Sequence, residues 1–162
     1  MNSKKSNIYI LILILLSVLS FSLLSTAEQP LDIKEFVHQI YNKYMDNDFK
    51  AVYEVIHPQI KEVLEKKEYI DFQKKNTEKY SIEISEVEVV KVVTLENLPE
   101  VFKEIFKDYN FEHIYEVTIE YNSSYIVAKN KQEKFIEKKT YVVTDKNKDY
   151  LLWDPDIIKK EE

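Results

Sequence analysis

Histidines exchange protons near neutral pH more readily than other side chains, and this chain has three. His57 stands before Pro58 at the break of a predicted helix, where an imidazole could act as a general base. The alternative for His57 is a structural role at a helix end, bonding a free backbone carbonyl. His38 is expected on a helix surface and His113 in a turn. Their spacing fits no zinc motif, so the histidines predict no metal site.

Asp154 is the second candidate for a catalytic group, because a buried carboxylate near a pocket could serve as an acid. An aspartate before Pro155 also favours a turn in which its side chain bonds nearby backbone, while Trp153 packs on helices. The turn is the interpretation we favour. Apart from His57 and Asp154 the sequence offers no catalytic candidate, and the lack of paired acid and base residues predicts a protein that is not an enzyme.

Twelve tyrosines give the chain many rings with a polar edge. Such a side chain suits the boundary of a ligand pocket, since its ring is apolar and its hydroxyl needs a hydrogen-bond partner. Alternate tyrosines of a strand share one face, which lines a pocket if it points inward. Ordinary core packing is the alternative for most of them. The candidates for pocket-lining residues are Tyr53, Tyr115, Tyr121, Tyr141 and Trp153.

The chain contains neither glycine nor cysteine, and this excludes several classes of site. Phosphate-binding loops need glycine where the backbone adopts positive φ or approaches the ligand closely, so nucleotide cofactors are not expected. Without cysteine there are no disulfides, thiol nucleophiles or thiolate-bound metals. The acids within 83–88 alternate along a predicted strand instead of clustering on a calcium-binding loop. We therefore expect no cofactor and no metal.

The charge of the chain argues against nucleic acid as a partner. All 23 basic side chains are lysines, and 29 acidic side chains bring the net charge to −6. An acidic domain without arginine binds a phosphate backbone poorly, and its charge serves solubility instead. An amino-acid composition rich in lysine, isoleucine and asparagine is typical of proteins encoded by the AT-rich genomes of low-GC Gram-positive bacteria.

The first 27 residues have the layout of an export signal. Lys4 and Lys5 precede an apolar stretch over 8–24, and small residues follow at 25–27. An uncleaved membrane anchor is the alternative, although the stretch is near the shortest that spans a bilayer of about 30 Å. In either case we expect residues 28–162 outside the cytoplasm, secreted or anchored, with the membrane contacted only through the N-terminal segment.

The spacing of apolar residues changes once along the rest of the chain. Over 31–80 they recur at steps of three and four, which predicts helices, and Asp32 is placed to cap the first. From 81 onward they alternate, which predicts strands. Phase shifts within 82–92 indicate a bulge.

Three connecting segments complete the predicted order. A short amphipathic helix is expected over 98–111, and polar turns are expected at 128–131 and 145–148. Helices followed by strands predict a single α+β domain over 28–162. In this domain the N-terminal helices pack on one face of a strongly curved, cone-like antiparallel sheet, preceded by the signal or anchor helix.

This order, with a tryptophan at the last strand, resembles the nuclear transport factor 2-like superfamily. Tyr53–His57 and Tyr69–Phe72 are similar to a helix pair of that fold. Leu152–Ile158 resembles the closing segment of the N-terminal, non-catalytic domain of methicillin-resistance-type penicillin-binding proteins. The resemblance implies a spacer or interaction module. The chain has no Ser-x-x-Lys arrangement, so transpeptidase chemistry is not expected.

Two functions follow as hypotheses. The first is an exported, non-catalytic binding or interaction domain at the bacterial cell envelope, whose partner is an envelope protein or a small apolar ligand. The second is a small cone-type enzyme, such as an isomerase, dehydratase or hydrolase, with His57, Asp154 and a tyrosine converging in an internal pocket. A homodimer through the open face of the sheet is compatible with both.

Overall fold

The computed structural model of the protein describes residues 32–160. The signal or anchor segment predicted over 1–27 lies outside these residues and stays a prediction. Within the described part, no helix combines the length and the hydropathy that crossing a membrane requires.

The N-terminal half consists of the helices α1 (Ile33–Met45), α2 (Phe49–Glu54), α3 (Pro58–Lys61) and α4 (Lys66–Tyr80). As predicted, Asp32 caps α1, because its carboxylate accepts the N–H of Lys34 at 3.0 Å. Asp48 caps α2 by accepting the N–H of Ala51 at 3.1 Å. The buried side chains of α1 recur at steps of three and four, so a single stripe of this helix packs on the core.

The C-terminal half is an antiparallel sheet of β1 (Glu83–Thr94), β2 (His113–Val127), β3 (Asn130–Asp145) and β4 (Lys148–Leu152). Each strand pairs with the next along the chain. Two short helices complete the fold, α5 (Glu100–Lys103) between β1 and β2, and α6 (Asp156–Lys160) after β4. Helices followed by an antiparallel sheet confirm the predicted α+β class.

Strand β1 carries the irregularity that its apolar pattern predicts. Its pairing with β2 shifts register between Ser85 and Glu88 and again between Val89 and Lys91. At the first shift Glu86 adopts a φ of 54°. Such bulges bend a strand and increase its twist. Because β1 pairs only with β2 within residues 32–160, the bulges also interrupt an edge that another strand could otherwise extend.

The helix predicted over 98–111 is shortened to the four residues of α5. Phe106, Tyr109 and Phe111 instead gather into one cluster, with ring centroids 5.1 to 5.9 Å apart. In a continuous helix Phe106 and Phe111 would point about 140° apart and could not meet. The predicted short helix is therefore present and begins after Pro99, but aromatic packing ends it well before 111.

The core lies between the helices and the sheet. Val37 and Val52 of the helices and Val117, Ile119 and Val142 of the strands are fully buried. Because side chains alternate along β2, Val117 and Ile119 point to the same, helix-facing side of the sheet. Beyond the core, alternate residues of β2 and β3 remain on this helix-facing side of the sheet.

Both predicted turns close two-residue hairpins without glycine. The loop Ala128-Lys129 joins β2 to β3 with φ values of 50° and 70°, and Lys146-Asn147 joins β3 to β4 with φ values of 52° and 60°. Two positive φ angles in succession define a type I′ turn, which matches the twist of the strands and favours Asn-Gly. Apart from asparagine, the residues found here adopt this backbone at a steric cost.

Replacing Lys146-Asn147 by Asn-Gly should therefore stabilise the protein by about 1 kcal/mol, because the left-handed strain is relieved. Urea unfolding followed by the fluorescence of the single tryptophan, Trp153, measures the change. The control is Lys74→Gly in the middle of α4, where glycine should destabilise by about 1 kcal/mol. Equal losses in both variants would show that the turn stores no strain.

Candidate functional site

Strand β4 is joined to the helical layer by a short stretch of backbone pairing. The N–H of Leu151 donates to the carbonyl of Val55 at 2.9 Å, and the N–H of His57 donates to the carbonyl of Leu151 at 3.1 Å. Between these bonds Ile56 and Leu151 form a parallel bridge, and both side chains are buried. We call this pairing the clamp. It fixes the positions of His57 and of Trp153, which follows Leu151 by two residues.

His57 lies in a closed aromatic box and is fully buried. Four rings face the imidazole edge-on, with centroids 5.0 to 5.4 Å away. They are Phe106, Tyr109, Phe111 and Tyr150. Three come from the segment between α5 and β2 and the fourth comes from β4, so the early end of α5 is what allows the box to close.

The two ring nitrogens of His57 have different surroundings. Nδ1 accepts the N–H of Gln59 at 3.1 Å and caps α3, so the neutral ring carries its proton on Nε2. Nε2 has no hydrogen-bond partner among the described residues and lies 3.9 Å from Oδ2 of Asp145. Burial lowers the pKa of His57 to about 4, although Asp145 partly opposes the shift. The ring is therefore neutral at neutral pH.

This geometry gives His57 a structural role that differs from the helix-end interpretation. The ring accepts a backbone N–H at the start of α3 instead of donating to a free carbonyl. Pro58 at the first helical position suits such a cap, because its missing N–H would have no partner there. The box leaves no path by which a substrate reaches the imidazole.

Asp154 is engaged in its own turn. Its Oδ1 accepts the N–H of Asp156 at 2.9 Å where α6 begins. The preceding Trp153 packs edge-on against Tyr69 and Phe72 of α4, with centroids 5.1 and 6.0 Å away. The indole therefore joins the end of the sheet to α4, and the aspartate orders the chain that follows it.

A cavity of about 980 Å³ opens between α1, α4 and the strands β1 to β3. We call it the cleft. Its aromatic wall consists of Tyr41, Tyr44, Phe49, Tyr121, Phe135 and Trp153. Polar side chains on the remaining wall include Asn47, Gln73, Asn76, Thr77, Asn122 and Ser123. The cleft therefore combines aromatic rings, which can contact an apolar ligand, with many polar groups, and neither His57 nor Asp154 lines it.

The tyrosines of the cleft form a connected set. The ring of Tyr41 lies 5.6 Å from that of Tyr44 and 5.8 Å from that of Tyr121. The hydroxyls of Tyr44 and Tyr69 are 2.8 Å apart. Burial raises the pKa of the four tyrosines, Tyr41, Tyr44, Tyr69 and Tyr121, above the ordinary tyrosine value. Their hydroxyls therefore stay protonated at neutral pH. The set presents neutral hydroxyls, never phenolates.

Lys138 is the lysine of the cleft with the least ordinary surroundings. The pairing of β2 with β3 places it opposite Ile119, next to the pair Tyr121 and Ile136 on the same face. Lys138 is exposed. The protein around its ammonium nevertheless lowers the pKa of Lys138 by partial desolvation. No charged neighbour among the described residues contributes to this shift.

The structure separates the five aromatic residues proposed for a pocket. Tyr121 and Trp153 line the cleft. The hydroxyl of Tyr53 donates to the carbonyl of Leu64 at 2.8 Å inside the core.

The last two tyrosines of the prediction lie outside the cleft wall. The Tyr141 hydroxyl donates to Glu116 at 3.3 Å while its ring packs on Phe102, and the ring of Tyr115 lies beside His113. Tyr41 and Tyr44 line the cleft as well, although they are not among the residues that the sequence predicts for a pocket. Their hydroxyl groups, absent from an ordinary core stripe, are the signal that could have identified them.

No set of three or more histidine, aspartate or glutamate side chains within residues 32–160 is arranged to hold a metal ion. Comparisons with known proteins give no family for the chain, since no family model and no curated protein matches it significantly. The geometry of the cleft is therefore the basis on which a function can be proposed.

The closed box makes stability depend on pH. Folding lowers the pKa of His57 from 6.5 to about 4. Between these two pH values the imidazole is protonated in the unfolded chain and neutral in the folded protein. Stability is complete above about pH 6.5 and should fall by up to about 3 kcal/mol as the pH approaches 4. Urea unfolding at a series of pH values measures this loss.

The variant His57→Asn keeps an N-cap but cannot titrate, so the gap between its stability and that of the wild type should narrow as the pH falls. His38→Asn, at an exposed position of α1, should leave the pH profile unchanged. If the free energy of unfolding falls equally with pH for the wild type and His57→Asn, another group causes the loss of stability at acidic pH.

Proposed function

We propose that the protein is an exported, non-catalytic binding domain of the cell envelope that takes a small ligand with an apolar body in the cleft. The observation that carries the proposal is the aromatic wall of this cavity, whose volume suits a small organic molecule. The exposed ring of Phe135 and the half-buried rings of Tyr121 and Trp153 leave apolar surface at this cavity, which is expected where a ligand covers it.

The alternative is a cone-type enzyme that uses His57, Asp154 and a tyrosine. General acid–base catalysis needs its groups within hydrogen-bond reach of the reacting atoms. The box around His57 and the turn that engages Asp154 support binding over catalysis. A smaller cavity of about 450 Å³ touches Phe106, Tyr109 and Phe111 from outside the box, but His57 is not in its wall.

Three further parts of the proposal rest on the sequence. Residues 1–27 deliver residues 28–162 to the outside of the membrane, secreted or anchored. The antiparallel sheet curves into the cone of the nuclear transport factor 2-like superfamily, and the bulges of β1 support this. An envelope protein is the alternative partner. A homodimer would use the sheet face opposite the helices, where Glu116 and Lys139 form an ion pair at 2.8 Å.

A neutral probe tests ligand binding in the cleft. The full chain, kept in solution by a non-ionic amphipathic polymer, is titrated with 4-phenylbutanamide while the fluorescence of Trp153 is followed. Trp153 is the only tryptophan and lines the cleft, so binding there should give a saturable change. Asn76→Phe, which fills the cleft from α4, should weaken binding by about tenfold or more, equivalent to about 1.4 kcal/mol.

Lys75→Phe is the matched control, because residue 75 neighbours Asn76 on α4 but is exposed and lies outside the cleft wall. It should bind the probe as the wild type does. A linear, non-saturating fluorescence response, or equal binding by both phenylalanine variants, would refute a ligand site in the cleft.

A further inference from the structure

We propose that the cleft is selective for a carboxylate attached to an apolar body, and that the ammonium of Lys138 holds the carboxylate. This inference rests on the proposed function and names the chemical class of its ligand. It follows from where Lys138 lies on the sheet, from what surrounds it and from the state of the tyrosines around it.

The register of the sheet places Lys138 in the cleft. Lys138 pairs with Ile119, which is fully buried, and its neighbour on the same face, Ile136, pairs with Tyr121. Both Tyr121 and Lys138 belong to the cleft wall, and Tyr121 in turn packs on Tyr41 of α1. The lysine therefore projects from the side of the sheet that carries the aromatic wall, at the border between the wall and the core.

The position lacks a counter-charge. Among the described residues Lys138 forms no ion pair, and desolvation alone shifts its pKa. Lys138 is exposed at the cleft, so an anion that enters can reach its ammonium and compensate the partial loss of hydration. The next residue gives the contrast, because Lys139 points to the opposite face and pairs with Glu116 at 2.8 Å.

The acids at the rim of the cleft are already engaged. Glu83 accepts the hydroxyl of Ser124 at 3.1 Å, and Lys131 lies 4.0 Å from Glu83 and 3.5 Å from Glu133. Glu86 accepts the amide of Asn122. These exposed carboxylates are screened by water and by their partners, so they repel an entering anion weakly.

The tyrosines define the rest of the ligand. Because burial raises the pKa of Tyr121, its hydroxyl remains protonated and can donate to an anion, whereas Tyr41 is buried and the Tyr44 hydroxyl is already hydrogen-bonded to that of Tyr69. The half-buried rings of Tyr121 and Trp153 and the exposed ring of Phe135 offer apolar surface to a hydrocarbon body. A carboxylate carries a single charge that one ammonium neutralises, whereas phosphate sites use arginine forks or several backbone N–H groups, and this chain has no arginine.

A pair of isosteric probes tests the inference. The full chain is titrated at pH 7.5 with 4-phenylbutanoate and with 4-phenylbutanamide, and Trp153 fluorescence reports both. Wild type should bind the carboxylate about 10- to 100-fold more tightly than the amide, the range expected for a hydrogen bond to a charged group. Lys138→Met should remove this preference, so that the two probes bind with similar affinities, while Lys138→Arg should retain it.

Lys139→Met is the matched control and should keep the full preference, because its side chain lies on the other face of the sheet. Lys138→Met removes a desolvated charge, so its thermal unfolding should match or exceed that of the wild type. If the amide binds but the carboxylate binds no more tightly, or if Lys138→Met keeps the preference, the role of Lys138 is refuted while the cleft remains a binding site. If neither probe binds, the proposed function itself fails.

Discussion

The clamp between Val55–His57 and Leu151 is the constraint on which the arrangement of this domain depends. Its two backbone hydrogen bonds join a segment of the helical layer to the last strand of the sheet. The bonds are buried with Ile56 and Leu151, so breaking them would leave polar backbone groups unsatisfied in the core. Two layers that could otherwise slide against each other are thereby held in one register.

The clamp sets two different environments along β4. Tyr150, just before Leu151, closes the aromatic box on His57, and Trp153, just after the strand, reaches α4 beside the cleft. Side chains alternate along a strand, so residues at 150 and 151 must point to opposite faces. The chain at β4 therefore contributes Tyr150 to the sealed box and, one residue past the strand, Trp153 to the wall of the cleft.

The sequence predicted the elements that local rules decide. The cap at Asp32, the bulge in β1 and the two hairpin turns follow from spacing and turn chemistry, and each is present. The sequence predicts the short helix after Pro99 but not its early end, because that end depends on the packing of Phe106 and Phe111 against His57, which is distant in the chain. The site was harder still. An alternating tyrosine can face a pocket or a core, and only the packing of β2 against α1 places Tyr121 in the cleft.

The surroundings of Lys138 likewise cannot be predicted from the sequence alone. In the sequence it is one of six lysines within 131–148, which are interspersed with acids and look like a solvated strand face. Whether such a lysine is solvated or desolvated depends on which side of the sheet the helices cover, and that side is chosen by the clamp. Because His57 loses its neutral state only near pH 4, the box holds an uncharged ring at neutral pH. The selectivity that we propose for the cleft belongs to the same pH range, in which the hydroxyl of Tyr121 is protonated and can donate to the anion that Lys138 would hold.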